Sequence, residues 1–151
     1  MSTVTDEQRC IITQQCLATF NRYLVNADHH IDRFTDAFTE DVLWVRPGME
    51  MVGHAAMQSF MNENRAACIA SNPPHGHLTR HMLTTSVIDV MDADNASGMF
   101  YALVFRSEAF AGTLPVPMNE PELVVEYRST FRRTTKGWLI CRHQAQHILR
   151  R

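Results

Sequence analysis

The stretch DRFTDAFTEDVLWVRPG, residues 32–48, decides the fold, because a helical pattern changes into an extended one within it. Asp28, just ahead of it, is expected to cap a short second helix. The apolar side chains that share one face of this helix are Ile31, Phe34 and Phe38. Residues 42–45 then favour a short strand, which ends at the turn Pro47-Gly48. The stretch therefore predicts a helix followed directly by the first strand of a sheet.

Helical patterns flank this stretch on both sides. Residues 5–8, Thr-Asp-Glu-Gln, form a capping-box pattern that begins a long first helix. Its apolar positions recur at helical spacing: Ile12, Cys16, Phe20, Tyr23, Leu24 and Ala27. Downstream, Gly53-His54 begins a further helix, and the prolines within residues 72–76 end it. The first half of the chain is therefore expected to be mainly helical.

The second half of the chain changes to extended patterns. Residue preferences and turn signals predict four strands in two long hairpins, at residues 79–90, 97–106, 123–134 and 137–149. Helices first and antiparallel strands afterwards is the order of an α+β fold, with one sheet and the helices packed on one of its faces. The chain has 151 residues and no repeat, linker or low-complexity tract, so a single domain over residues 1–151 is expected.

Composition and charge exclude several classes of protein. The hydrophobic share of 45% and the charged share of 20% are ordinary for a globular protein. A net charge of -2 argues against a broad nucleic-acid-binding surface, which needs a basic stripe. No apolar run approaches the roughly 20 residues that span a membrane, and the polar N-terminus lacks the apolar segment of a signal peptide. A cytoplasmic location with no nucleic-acid or membrane partner is expected, and the four scattered cysteines are expected to be reduced.

Two later stretches complete an ordered set of motifs. RHMLTT occupies residues 80–85, and YRSTFRR occupies residues 127–133, with KGWLI at residues 136–140. Together with residues 32–54 they resemble the SnoaL-like branch of the nuclear transport factor two-like superfamily, a resemblance that extends over residues 5–147. It implies a cystatin-like fold: a cone-shaped α+β barrel in which a curved antiparallel sheet wraps around N-terminal helices and leaves a ligand pocket. It also implies a homodimer that binds a small apolar ligand.

His81 is the strongest catalytic candidate. Histidine moves protons well near neutral pH, and this one lies near the start of a strand, where an apolar residue would be ordinary. In scytalone dehydratase, an enzyme of this superfamily, a histidine in a similar context acts as acid and base in the pocket, so the resemblance implies that role for His81. The alternative is a strand histidine whose ring nitrogens bond to backbone or hydroxyl partners.

The other catalytic positions of scytalone dehydratase are not preserved. Counting from His81 without gaps, its second pocket histidine falls on Arg106 and its strand asparagine on Tyr127. Its tyrosine–aspartate pair falls near Asn26-Ala27, and Asp28 lies one position along. That particular dehydration is therefore not expected, and Asp28 is a candidate to polarise a substrate beside the catalytic base.

Further side chains are predicted to line the pocket. Tyr127 and Ser129 belong to an alternating set that the resemblance places inward, so the Tyr127 hydroxyl is a candidate donor to a ligand carbonyl or enolate. The alternative for Tyr127 is a core tyrosine. Trp44 and Phe100 are expected to be wall residues. An inward Arg106 needs a carboxylate partner or an anionic ligand, because an unpaired charge is costly to bury.

The histidine clusters offer only weak metal sites. His29 and His30 are adjacent on a helix, so their side chains point about 100° apart. His75, His77 and His81 share a strand face but lack an obvious carboxylate partner. No phosphate-binding loop or dinucleotide fingerprint is present, so neither a metal nor a cofactor is expected. Two histidines of the last strand are interpreted as a polar rim or an oligomer contact: His143 and His147.

The residues and the resemblance together leave three functions open. The favoured hypothesis is a cofactor-independent lyase or isomerase for an apolar cyclic or polyketide-like ligand, with His81 moving the proton and Tyr127 or Asp28 polarising the substrate. The second is a non-catalytic small subunit of an aromatic-ring-hydroxylating dioxygenase. The third is a ligand-binding module. Since one fold of this kind hosts many activities, the choice depends on the geometry of the site.

Overall fold

The computed structural model describes residues 4–151 and confirms the predicted α+β class. The elements in chain order are α1 (Asp6–His29), a 3₁₀ helix (Ile31–Ala37), β1 (Phe38–Arg46), β2 (Met49–Val52), α2 (Gly53–Ser71), β3 (His77–Val90), β4 (Asn95–Ala109), β5 (Leu123–Thr134) and β6 (Gly137–Arg150). Within residues 4–151, neither α-helix combines the length and the hydropathy needed to cross a membrane.

Helix α1 begins where the sequence predicts it and ends later. The Thr5 hydroxyl accepts a hydrogen bond from the Gln8 amide at 3.2 Å, and the Gln8 side chain accepts one from the Thr5 amide at 2.9 Å. The helix continues to His29, so Asp28 lies in its last turn, and the following 3₁₀ helix has no side-chain cap. The expectation that Asp28 caps a second helix is therefore wrong, because its carboxylate bonds to β3 instead.

Helix α2 begins at Gly53, and its first turns are tied to the elements before it. Gly53 has a φ of 81°, which glycine adopts without strain, and a Cβ there would lie 3.2 Å from the Glu40 carbonyl. His54 Nε2 lies 3.0 Å from the Phe38 carbonyl oxygen. Gln58 Nε2 donates to the Ile31 carbonyl at 2.8 Å. These bonds hold α2 over the 3₁₀ helix and β1, which frames one side of the interior.

The sheet is curved and unclosed, with the strand order β2-β1-β6-β5-β4-β3. Four of its five pairings are antiparallel, including the two predicted hairpins β3–β4 and β5–β6, whereas β1 and β6 run parallel. The parallel pairing arises because β1 and β6 are far apart in the chain and no hairpin fixes their relative direction. The sequence also missed β2, a four-residue strand that forms a hairpin with β1 across the predicted Pro47-Gly48 turn. Strands β2 and β3 are left as the two edges.

The hydrophobic core fills the part of the concave sheet that α1 covers. Phe20 from α1 stacks on Phe100 from β4, with ring centroids 3.6 Å apart and an interplanar angle of 6°. Phe131 of β5 meets the edge of Phe100 at 6.3 Å. Inner-face side chains of β5 alternate as the sequence predicts, with every second residue from Leu123 to Phe131 buried. This packing seals one end of the cone and leaves the other end open.

Removal of the α1 cap is expected to cost a modest amount of stability. The change Thr5→Ala leaves the Gln8 amide without its side-chain acceptor, so the free energy of unfolding should fall by about 1 kcal/mol. Urea denaturation measures the change. Thr5→Asp retains an acceptor at the same position and should unfold close to the parent; equal stability of all three proteins would show that the cap contributes nothing.

Candidate active site

A cavity of about 730 Å³ lies at the open end of the cone, between the helices and the inner face of the sheet. This volume suits a small organic molecule. Aromatic and aliphatic side chains line it together with several ionisable groups. The charged residues among its lining are Asp28, Arg46, Arg65, Arg106 and Glu122.

His81 and Asp28 form a hydrogen-bonded pair in this lining. His81 Nδ1 lies 2.6 Å from Asp28 Oδ1, and the His81 backbone amide donates to Asp28 Oδ2 at 2.8 Å. The Asp28 side chain is only 6% exposed, and that of His81 is 19% exposed. Because a carboxylate accepts, the Nδ1 proton points at Asp28, and in the neutral ring this leaves the lone pair on Nε2. Within residues 4–151, Nε2 has no hydrogen-bond partner, so it is available to a ligand.

The backbone explains why two residues so far apart in sequence meet. Helix α1 packs against β3. This packing brings the last turn of α1, which holds Asp28, next to His81. Asn26 Nδ2 donates to the Arg33 carbonyl at 2.7 Å and anchors the turn that ends α1. On β3, every second residue from His77 to His81 lines the cavity. Helix α1 thus positions the Asp28 carboxylate, and β3 positions the His81 ring.

Two tyrosines lie beside this pair. Tyr23 from α1 and Tyr127 from β5 both line the cavity, with their ring centroids 6.0 Å apart and their rings nearly perpendicular. Burial raises the pKa of Tyr23 to about 12, and burial also raises the pKa of Tyr127, with a further contribution from the neighbouring Tyr23 hydroxyl. Both phenols therefore stay protonated at neutral pH. A hydrogen bond between the two side chains lowers the pKa of Tyr23 and raises that of Tyr127, which is the effect of Tyr127 donating to Tyr23. The Tyr23 hydroxyl can then donate to a ligand oxygen.

Arg46 and Trp44 form another part of the wall, at the end of β1. The Arg46 guanidinium carbon lies 5.3 Å from the Trp44 ring centroid and 5.1 Å from that of Phe60. Both distances are within the range of cation–π contacts. All three residues line the cavity. The ligand-binding role expected of Trp44 stays a prediction.

Arg106 also lines the cavity and has the carboxylate partner that its charge requires. Its Nη1 lies 2.5 Å from Glu122 Oε1, and both side chains are partly exposed. His147 lines the same region. Burial, together with the guanidinium groups of Arg46, Arg150 and Arg106, lowers the pKa of His147 below its ordinary value. The field in this part of the cavity therefore disfavours an additional positive charge.

The structure places two of the predicted ligand-binding residues away from the cavity. Phe100 is fully buried under Phe20, because α1 covers this part of the inner face of the sheet. Ser129 is also buried, and its hydroxyl lies 2.8 Å from His143 Nδ1. Both therefore belong to the core beneath the cavity, and the expectation that they line it is corrected.

His143 is neither the polar rim nor the oligomer contact that the sequence suggested. It is completely buried, stacks on Tyr127 at a centroid distance of 5.3 Å and meets the edge of Tyr23 at 4.8 Å. Burial lowers the pKa of His143 to about 3, and the Arg46 charge adds to this effect. The ring is neutral and supports the two tyrosines from below.

The histidines that invited a metal interpretation have other partners. His77 Nδ1 lies 2.7 Å from the Ser107 carbonyl, and the His75 ring packs near Phe110. Within the described part of the chain, no group of three or more His, Cys, Asp or Glu side chains is arranged to hold a metal ion.

Burial raises the pKa of the Cys141 thiol, which makes a reactive thiolate there unfavourable.

The three predicted catalytic residues, Asp28, His81 and Tyr127, all line one cavity. The sequence did not single out two other residues that line it, Tyr23 and Arg46. Tyr23 was assigned only to the apolar face of α1, although its hydroxyl distinguishes it from the other residues of that face. Arg46 follows Trp44 at the spacing of one strand face, which is the signal that places it inward. A histidine oriented by a carboxylate, a phenol donor and a cavity that holds a small molecule are the groups that proton transfer next to a carbonyl needs.

Comparison with known proteins supports the fold and the family. A model of the SnoaL-like domain matches residues 12–144. A comparison with curated proteins gives no match. An NTF2-like protein with a cystatin-like fold from Novosphingobium aromaticivorans superimposes with a TM-score of 0.69 at 20% identity, covering 97% of this chain and 92% of that one.

Two further solved structures are of proteins named for an enzymatic activity. A protein from Novosphingobium aromaticivorans assigned as a scytalone dehydratase gives a TM-score of 0.73 at 15% identity, covering 96% of this chain and 89% of that one. Hexachlorocyclohexane dehydrochlorinase LinA-type3 from Novosphingobium barchaimii gives a TM-score of 0.72 at 14% identity, covering 97% and 93%. At these identities the likeness shows the fold alone. Because the domain model spans most of the chain, this protein belongs to the SnoaL-like domain family.

Proposed function

We propose that this protein is a cofactor-independent enzyme that moves a proton on a cyclic or polyketide-like ligand, with His81 as the base. The observation that supports this most directly is the Asp28–His81 pair, which lines the cavity and in which Nε2 has no hydrogen-bond partner among residues 4–151. A carboxylate that fixes one ring nitrogen and stabilises the charge formed on protonation is the arrangement that general-base histidines need.

The proposed chemistry passes through an enol. His81 Nε2 takes the proton from a carbon next to a carbonyl, and the electrons of that C–H bond move onto the carbonyl oxygen. Tyr23 donates a hydrogen bond to this oxygen as its charge develops, and the Tyr127 hydroxyl, which donates to Tyr23, supports it. Return of the proton to another carbon gives an isomer, and its transfer to a departing hydroxyl gives water and an alkene. The same intermediate is the nucleophile of a carbon–carbon cyclisation.

Two other functions predict different behaviour. A structural subunit of a ring-hydroxylating dioxygenase needs the fold but has no use for a histidine oriented by a buried carboxylate. A binding module needs the cavity but no base in it. The geometry of Asp28 and His81 therefore favours the enzyme over both.

The simplest test uses an enolisable two-ring ketone, 2-tetralone, in D₂O. Proton NMR follows the loss of its α-proton signals, and saturation-transfer NMR establishes that it binds. We expect the protein to accelerate exchange well above the buffer rate. If 2-tetralone is bound and its α-protons exchange no faster than in buffer, the general-base function is wrong for this ligand class.

The homodimer expected from the sequence stays a prediction. Several apolar side chains on the outer face of the sheet are exposed, including Met82 at 55%, Val87 at 46% and Leu149 at 63%. Burial of such a surface against a second copy would remove it from water, which is the usual reason for exposed apolar patches of this kind. Sedimentation velocity at several concentrations decides the oligomeric state.

A further inference from the structure

We propose that the ligand of this cavity carries a carboxylate, and that Arg46 is the residue that binds it. The inference deepens the function proposed above and rests on it, because it assigns one end of the ligand on which His81 acts. It narrows the ligand from an apolar molecule to a cyclic acid with an apolar body.

Two aromatic rings hold the guanidinium of Arg46 in place. It lies against the rings of Trp44 and Phe60, which come from β1 and α2. Two aromatic rings restrict its orientation and shield part of it from water. The planar edge that remains carries several N–H donors in a fixed arrangement, which matches the two oxygens of a carboxylate.

The contrast with Arg106 shows what Arg46 lacks. Arg106 also lines the cavity, and Glu122 neutralises it at 2.5 Å. Among residues 4–151, no carboxylate forms an ion pair with Arg46. Of the two guanidinium groups that strands place at the cavity, one is therefore satisfied by the protein and the other is left to the ligand.

The missing carboxylate partner of Arg46 affects the free energy of ligand binding. Arg46 is half-buried, so water still satisfies its remaining donors in the empty cavity. A neutral ligand that displaced this water would leave a charged group without a partner, which is unfavourable. A carboxylate replaces the lost water with charge-assisted hydrogen bonds. The site therefore discriminates between an acid and its neutral isostere.

Arg46 lines the same cavity as the two tyrosines and the Asp28–His81 pair, so one ligand can contact all of them. Burial raises the pKa of Tyr23 most, the charge of Arg46 lowers it and the charge of Asp28 raises it. Tyr127 experiences the same two opposing charges. A ligand whose carboxylate meets Arg46 and whose carbonyl meets the tyrosines presents its next carbon to His81.

The test compares 2-naphthoate with 2-naphthamide by isothermal titration calorimetry. The two probes have the same ring system and differ in the charge of one group. We expect the parent protein to bind the acid at least about tenfold more tightly than the amide. In Arg46→Gln the preference should disappear while the affinity for the amide is retained, which also shows that the cavity has remained folded.

Two further variants sharpen the result. Arg46→Lys keeps the charge but loses the planar donor edge, and should retain only part of the preference. Arg142→Gln removes the same charge from the exposed outer face of β6 and should keep the full preference. Equal binding of acid and amide by the parent, binding of neither probe, or an unchanged preference in Arg46→Gln would each overturn the proposal.

The failures of the two proposals can be told apart. A carboxylate preference that depends on Arg46, with no acceleration of 2-tetralone exchange, would reject the enzyme and keep the anion site. Normal exchange, with no preference between the two naphthalene probes, would reject the anion site and keep the enzyme.

Discussion

Replacement of His81 by glutamine is expected to slow the exchange of the α-protons of 2-tetralone by about 10²- to 10⁴-fold. Glutamine has a similar size and can still bond to Asp28, but it cannot accept a proton at neutral pH. The affinity for 2-tetralone should change little, because Nε2 contributes to the chemical step and not to the apolar contacts. Exchange rates by NMR and affinities by calorimetry measure the two effects separately.

Replacement of Asp28 by asparagine tests the same pair from its other side. An asparagine amide can donate to Nδ1, which would place the histidine proton on Nε2 and remove the base. We expect a loss of about 10²-fold or more in the exchange rate, with ligand affinity retained. Because Asp28 also accepts from the His81 backbone amide, circular dichroism and the unfolding midpoint must show that the variant is folded.

A surface histidine provides the matched control for these variants. His30 is exposed and lies outside the cavity, so His30→Gln makes the same chemical change without touching the site. Its exchange rate should equal that of the parent. If His81→Gln and His30→Gln both exchange at the parent rate, the protein's base is another group and the assignment of His81 is wrong.

The sequence singles out His81, the proposed base, but does not predict its contact with Asp28. His81 stands out as a histidine within a strand of mostly apolar and hydroxyl residues, and this contrast is visible in one chain. Asp28 was assigned to a helix cap because aspartate favours that position. Its actual contact spans 53 residues, from the end of α1 to β3. Local preferences cannot reveal such a contact, because it depends on how far α1 extends before it turns.

Alternation within strands predicted inner faces well until the chain departed from regular pairing. Phe131 pairs with Ile140 and Thr130 pairs with Arg142, so Cys141 is an extra residue in β6. Before the bulge the most buried side chains of β6 are Trp138 and Ile140, and after it they are His143 and Ala145. The sequence interpreted His143 as a polar rim or an oligomer contact, whereas the residue follows the bulge and its side chain lies in the core.

The boundary between the core and the cavity depends on tertiary packing, and local sequence patterns do not reveal it. Alternation correctly turns Phe100 and Ser129 inward, but the sequence does not show how much of the inner face α1 covers. Phe20 occupies the space above Phe100, while Val104, four residues further along the same strand, lines the cavity. The same face therefore supplies core at one end and a binding wall at the other.

We expect the free energy of unfolding to decrease as the pH is lowered, because of His143. Burial holds the pKa of His143 at about 3 in the folded state, whereas an exposed histidine in the unfolded chain titrates near 6.5. Between these values the unfolded state binds the extra proton, so acid favours unfolding. The stabilisation is complete above the unfolded value and is lost progressively as the pH falls toward 3. Between pH 7.5 and 4.5 this group should remove about 3 kcal/mol.

The variant Ser129→Ala/His143→Leu isolates that contribution. It removes both partners of the Ser129–His143 contact, so no new unpaired polar group is left in the core. Other titrating groups are common to both proteins, and they cancel when the pH-induced changes are compared. Urea denaturation at pH 7.5 and 4.5 should show a markedly smaller loss of stability in the double variant than in the parent. Equal losses in the two proteins would mean that His143 takes up its proton in the folded state, with water or a polar partner reaching its ring beneath the tyrosines.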